Sequence, residues 1–88
     1  MPIKVLVKKE IDDKINGFPD DLKNRIKGAL RELEITWPMC RLDIKKLKGY
    51  DNHYRIRVGD YRILFFRESG TAKVYDVSHR HDVYKGKA

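Results

Sequence analysis

Hydrophobic positions along the chain change spacing from strand-like to helix-like and back. Ile3–Val7 (IKVLV) is a short β-rich run that predicts a first strand. Lys8–Ile15 offers about two helical turns before the stop signal Asn16-Gly17. A longer helix follows. Pro19 suits its first turn, and Asp20 and Asp21 suit its positive N-terminal end. Leu22, Ile26, Ala29, Leu30 and Leu33 recur at helical spacing and form one apolar stripe. Gly28 costs about 1 kcal/mol relative to alanine inside a helix, which suggests that something packs close to it. Pro38 closes the helix near Trp37.

Residues 41–53 (RLDIKKLKGYDNH) read as a basic connection, starting a strand late. Three strands are then expected at Tyr54–Val58, Tyr61–Arg67 and Lys73–Ser78, separated by Gly59-Asp60 and by Glu68-Ser69-Gly70. The order β-α-α-β-β-β predicts an α+β domain spanning residues 1–88. It consists of an antiparallel sheet with both N-terminal helices packed on one face.

Gly59-Asp60 matches a two-residue hairpin loop of the primed type. That loop sets Val58 against Tyr61, Arg57 against Arg62, Ile56 against Ile63, Arg55 against Leu64 and Tyr54 against Phe65. Opposed residues share a side of the sheet. Tyr54, Ile56, Val58, Tyr61, Ile63 and Phe65 should therefore face the helices, and Arg55, Arg57, Arg62, Leu64 and Phe66 the other side. Two opposed arginines repel. A solvated face tolerates them because long side chains splay and salt screens them. An anion-binding surface uses them, since the planar guanidinium fork fits phosphate oxygens. Lys45, Lys46 and Lys48 just upstream enlarge the same basic region.

Charge sharpens that choice. The 88 residues carry a net +7. Residues 1–40 hold 8 Lys+Arg against 7 Asp+Glu, whereas residues 41–88 hold 12 against 6. The excess can form one patch, for which nucleic acid is the first partner and an acidic protein the second. A chain this size buries only about 60–65% of its unfolded surface, so its core is thin. The single Cys40 excludes an internal disulfide and favours a reducing cytosol, reading as a packed or surface thiol. No apolar run approaches the roughly 18–20 residues of a membrane span, and IKVLV is too short for a signal peptide. A soluble, cytoplasmic protein without a membrane partner is expected.

The ending HRHDVY gathers His79, Arg80, His81, Asp82 and Tyr84. Zinc finds too few ligands there, because Cys40 and His53 stand apart, so no metal is expected. Acid–base work on a phosphodiester fits better. Histidine titrates near neutrality, arginine stabilises developing negative charge, and tyrosine positions or stacks on a base. In an extended tail Arg80, Asp82 and Tyr84 share one side, and His79 and His81 the other.

Together KKLKG, YRIRVGDYRILFF and VYDVSHRHDVY resemble the RelE toxins of the RelE/ParE toxin–antitoxin superfamily, over essentially the whole chain. The resemblance implies an endoribonuclease that cuts mRNA in the ribosomal A site. Its metal-free, cofactor-free reaction turns the RNA 2′-hydroxyl on the adjacent phosphate, and a RelB-type antitoxin neutralises it. On that pattern Arg55 and Arg57, with Lys46 and Lys48, hold RNA and ribosomal phosphates. Arg62 clamps the scissile phosphate, Arg80 stabilises the transition state, and Tyr84 orients the nucleotide. Some relatives carry lysines where this chain has Arg55 and Arg57. Arginine does not give up its proton, so the base lies elsewhere or is absent; the resemblance points to His81 or His79, since other relatives use a C-terminal histidine beside the tyrosine. Ser78 stands where relatives often have glycine. The antitoxin is expected to cover Leu64 and Phe66. Two other functions share the fold, a ParE-like gyrase-binding toxin and an inactive, antitoxin-bound relative.

Overall fold

The computed structural model describes residues 3–79. The chain runs β1 (Lys4–Val7), α1 (Lys9–Asn16), α2 (Asp20–Thr36), β2 (Asp43–Lys46), β3 (His53–Val58), β4 (Tyr61–Glu68) and β5 (Thr71–His79). The strands form one sheet in the order β1-β5-β4-β3-β2, giving an α+β fold.

Two features depart from the expected β-α-α-β-β-β antiparallel sheet. Residues 41–53 contain a full strand, β2, antiparallel to β3 with Ile44 opposite Ile56. It is short, and Lys45 and Lys46 are exposed, which discourages another chain from adding to that edge. At the opposite edge β1 pairs in parallel with β5, Lys4 beside Thr71 and Val7 beside Val74. The sheet is therefore mixed. The two helices carry the chain from β1 across the sheet to the far edge, so β1 meets only the last strand to be made. Its outer edge is partly closed by α2, where Glu34 Oε2 accepts the Val5 N–H at 3.0 Å.

The helix α2 starts as its sequence dictates. The Pro19 carbonyl accepts the Lys23 N–H at 2.9 Å. Asp20 and Asp21 occupy the first turn, where the exposed amides favour negative charge. Ile26, Ala29, Leu30 and Leu33 are buried, and Leu22 packs partly against the same core. Gly28 is not held by close packing: a Cβ there would meet nothing within 4 Å.

Ile56, Val58, Ile63, Phe65, Ala72, Val74 and Val77 supply the sheet's side of the core. Phe65 is fully buried, stacked on Tyr54 at 5.3 Å, with Trp37 edge-on at 6.0 Å. Burying a ring of that size contributes roughly 1.5–3 kcal/mol. Among the described residues no helix is long and apolar enough to cross a membrane.

The β3–β4 register is the one the two-residue loop predicts, from Tyr54–Phe65 to Val58–Tyr61. Gly59 takes φ +58° and Asp60 stays out of that region, the signature of a type II′ turn. Ser69 and Gly70 both have positive φ, 45° and 77°, as a type I′ turn requires. Between Leu64 and Phe65 the β4–β5 ladder slips by one residue. Leu64 faces Asp76 while Phe65 faces Val74, and Tyr75 has no opposite number. This bulge keeps both Val74 and Val77 in the core, and it turns Asp76 to the side that plain alternation from Val74 would deny it.

Candidate nucleic-acid interface

Two ladders of side chains cross the sheet face that the helices leave open. One runs Asp43–Arg57–Arg62–Ser78 and the other Lys45–Arg55–Leu64–Asp76, each with one residue from β2, β3, β4 and β5. Arg55, Arg57 and Arg62 line a groove of about 410 Å³ with Lys45, Lys46 and Lys48 on its β2 side. Six cationic side chains thus border one depression.

Asp43 Oδ1 lies 3.7 Å from Arg55 Nη1, too long for a good hydrogen bond. The Arg55 side chain is only 18% exposed, against 56% for Asp43. Its Nη1 is buried and has no hydrogen-bond partner among the described residues. A buried guanidinium N–H without an acceptor is rare and costly in a folded protein. A phosphate oxygen would satisfy it, and a bidentate contact would suit the guanidinium fork.

Beyond Arg55 the same face becomes aromatic. His53 opposes Phe66, their rings 4.9 Å apart, and His53 Nδ1 is paired with the Tyr75 hydroxyl at 3.0 Å. Burial pushes the Tyr75 phenol above its ordinary value of 10.0, and the charge of Asp76 and the neighbouring Tyr50 add to the rise. Asp76 itself accepts a hydrogen bond from the Ser78 hydroxyl at 2.9 Å. Among the described residues no three His, Cys, Asp or Glu side chains converge as a metal site would need.

A family model described as ParE toxin of type II toxin-antitoxin system, parDE, matches residues 7–84. Toxin RelE3 of Methanocaldococcus jannaschii is 38% identical over 84 residues, which is 93% of this chain and 96% of that one. The chain belongs to the RelE/ParE toxin superfamily. The RelE chain in a RelB-RelE antitoxin-toxin complex from Methanococcus jannaschii superposes with a TM-score of 0.80 at 34% identity, covering 94% of this chain and 99% of its own. The archaeal RelE-RelB complex of Pyrococcus horikoshii OT3 gives 0.75 at 25% identity, covering 91% and 97%. This RelE-like protein is accordingly a toxin of a type II toxin–antitoxin system.

The toxin fold brings together part of the set that its sequence singles out. Arg55, Arg57 and Arg62 share one face, and Lys48 joins them at the groove. Lys46 also borders the groove, but it pairs with Tyr54 of the helix-facing row, whereas Lys45 sits in the arginine ladder itself. Leu64 is only 5% exposed and offers no apolar strip to a partner; Phe66 beside it is half-buried. His79 opposes Tyr61 on the helix side, the two rings 5.3 Å apart. Arg80, His81, Asp82 and Tyr84 lie outside the described residues.

Asp43, Asp76 and the His53–Tyr75 pair are additions that the sequence reading missed. Val74 and Val77, three apart in one strand, were the available sign of a bulge and hence of the turn of Asp76.

Proposed function

We propose that this toxin is a cytoplasmic, ribosome-dependent mRNA interferase that cuts mRNA in the A site. The 2′-hydroxyl of one nucleotide attacks the adjacent phosphate, without a metal. The observation that carries the reading is the opposition of Arg57 and Arg62 over a groove where Arg55 holds a buried donor in need of an acceptor. A phosphate between the opposed arginines relieves their repulsion and supplies that acceptor. In this scheme Lys46, Lys48, Arg55 and Arg57 hold RNA and ribosomal phosphates, and Arg62 clamps the scissile one. Arg80, Tyr84 and His81 serve from the tail as transition-state donor, nucleotide guide and proton carrier.

The partner in the resting state is a RelB-type antitoxin, since the two relatives compared at 25% identity or more were solved as RelB–RelE complexes. A segment with acidic side chains complements the basic face.

Toe-printing of an mRNA on ribosomes, with and without the purified toxin, tests the activity directly. New cleavage ends within the A-site codon are the expected result. Arg62→Ala and Arg80→Ala should each abolish growth arrest while still binding antitoxin; two fully toxic variants would show the residue roles to be wrong. The family model that matches is named for ParE, so a gyrase-directed toxin is the second reading. Early DNA damage with translation still intact would select it.

A further inference from the structure

We infer that Asp76 is the proton acceptor that the arginine hairpin lacks, with Ser78 holding its carboxylate in place. The inference rests on the mRNA interferase reading above and deepens it. Cleavage through the 2′-hydroxyl needs a group that takes that proton, and neither Arg55 nor Arg57 can serve at any working pH.

Asp76 is delivered to the right face by the β-bulge. Were β5 to alternate regularly from Val74, Asp76 would share the helix side with that valine. The extra residue, Tyr75, resets the alternation, so Asp76 opposes Leu64 in the ladder that also holds Arg55. Bulges concentrate beside active sites because they re-aim a single side chain in this way. Arg62 opposes Ser78, two positions further along β5, so Asp76 sits about 7 Å along the strand from the arginine that clamps the phosphate. The long Arg62 side chain can span that offset, as a base requires, since the 2′-hydroxyl sits on the ribose carbon next to the one whose oxygen bears the phosphorus.

The carboxylate is also fixed. Ser78 is 7% exposed, and its hydroxyl donates to Asp76 Oδ2 at 2.9 Å, which holds the orientation of the carboxylate. The charged and titratable groups on the surrounding strands are Arg62 on β4, Arg55 on β3, Lys45 on β2 and Tyr75 on β5 itself. Asp43, the other acid of the two ladders, already leans toward Arg55.

In the step itself Asp76 takes the 2′-hydroxyl proton as the 2′-oxygen bonds to phosphorus. The bond from phosphorus to the 5′-oxygen breaks, and that oxygen takes a proton from water. The products are a 2′,3′-cyclic phosphate and a 5′-hydroxyl, and Asp76 returns its proton to the hydroxide left behind.

The test is single-turnover cleavage of ribosome-bound mRNA as a function of pH, by wild type, Asp76→Asn, Asp76→Glu and His81→Gln. Antitoxin capture and a thermal melt of each variant check the fold. Asp76→Asn should be slower by about 100-fold or more and should lose the fall in rate on the acid side. Asp76→Glu should keep that fall and run at least about tenfold faster than Asp76→Asn, with His81→Gln retaining the acid limb. The assignment is overturned if Asp76→Asn cuts within about threefold of wild type, if a slow Asp76→Asn keeps the acid limb, or if Asp76→Glu is no faster than Asp76→Asn. Loss of the limb in His81→Gln would overturn it equally and make histidine the base. Wild-type protein that leaves the mRNA whole overturns the interferase reading itself, and Asp76 falls with it.

Discussion

Replacing Arg57 by glutamine should weaken RNA binding by an amount that the groove allows to be worked out. Six cationic side chains border it, and one, Arg55, already has a carboxylate close by in Asp43. About five phosphate contacts then remain for a single strand, so log affinity should fall with log salt at a slope of about −3.5. Between about 50 and 200 mM salt the wild type should lose about 100-fold in affinity, and Arg57→Gln, at a slope of about −2.8, only about 50-fold. At about 100 mM the variant should bind about fivefold more weakly than wild type. Asp43→Asn frees Arg55 and should do the reverse, steepening the slope to about −4.2. Fluorescence anisotropy of a short labelled single-stranded RNA, titrated at several salt concentrations, reads all three slopes. A wild-type slope shallower than about −1, or parallel lines for wild type and Arg57→Gln, would refute the groove as a phosphate-binding surface.

Three further outcomes follow from the fold. Phe65→Ala should remove about 3–5 kcal/mol from a domain whose total stability is roughly 4–13 kcal/mol, so circular dichroism should find its melting temperature lower by about 12 °C or more. Glycine substitutions should split by position. Gly28→Ala, with open space around the new methyl, should gain up to about 1 kcal/mol, while Gly59→Ala, forced to φ +58°, should lose about 1 kcal/mol or more in urea denaturation. The raised Tyr75 phenol means that the folded state holds its proton where the unfolded chain releases it. Its contribution is full below pH 10 and is lost as pH rises through the folded value. Tyr75→Phe should therefore flatten the alkaline fall in melting temperature, and an unchanged fall would count against that origin.

The sequence made some of this legible for local reasons. A two-residue turn with glycine first admits few geometries, so the loop dictated every pair from Tyr54–Phe65 to Val58–Tyr61. The α2 stripe was readable because its apolar spacing repeats over several turns. What escaped depends on partners distant in sequence. A strand of four residues such as β2 carries one inward apolar side chain, Ile44, too little to show an alternation. Nothing in IKVLV says whether its neighbour runs parallel or antiparallel to it. Leu64 looked like a surface residue because its row is otherwise charged, yet it is buried. The turn of Asp76 toward the arginines required the slip in the ladder, and a slip belongs to two strands rather than to one.

The parallel pairing of β1 with β5 also imposes an order on assembly. The β3–β4 hairpin closes over two residues, so it can form as soon as it is synthesised. The first strand must wait for Thr71–Val74, and bringing Lys4 to Thr71 closes a loop that spans most of the chain. A nascent chain therefore displays Arg55, Arg57 and Arg62 on an unfinished sheet. When β5 emerges it gives β1 its neighbour, supplies Val74 and Val77 to the core, and sets Ser78 opposite Arg62 and Asp76 opposite Leu64. The fold and the sheet's share of the candidate site are finished together, by the same nine-residue strand.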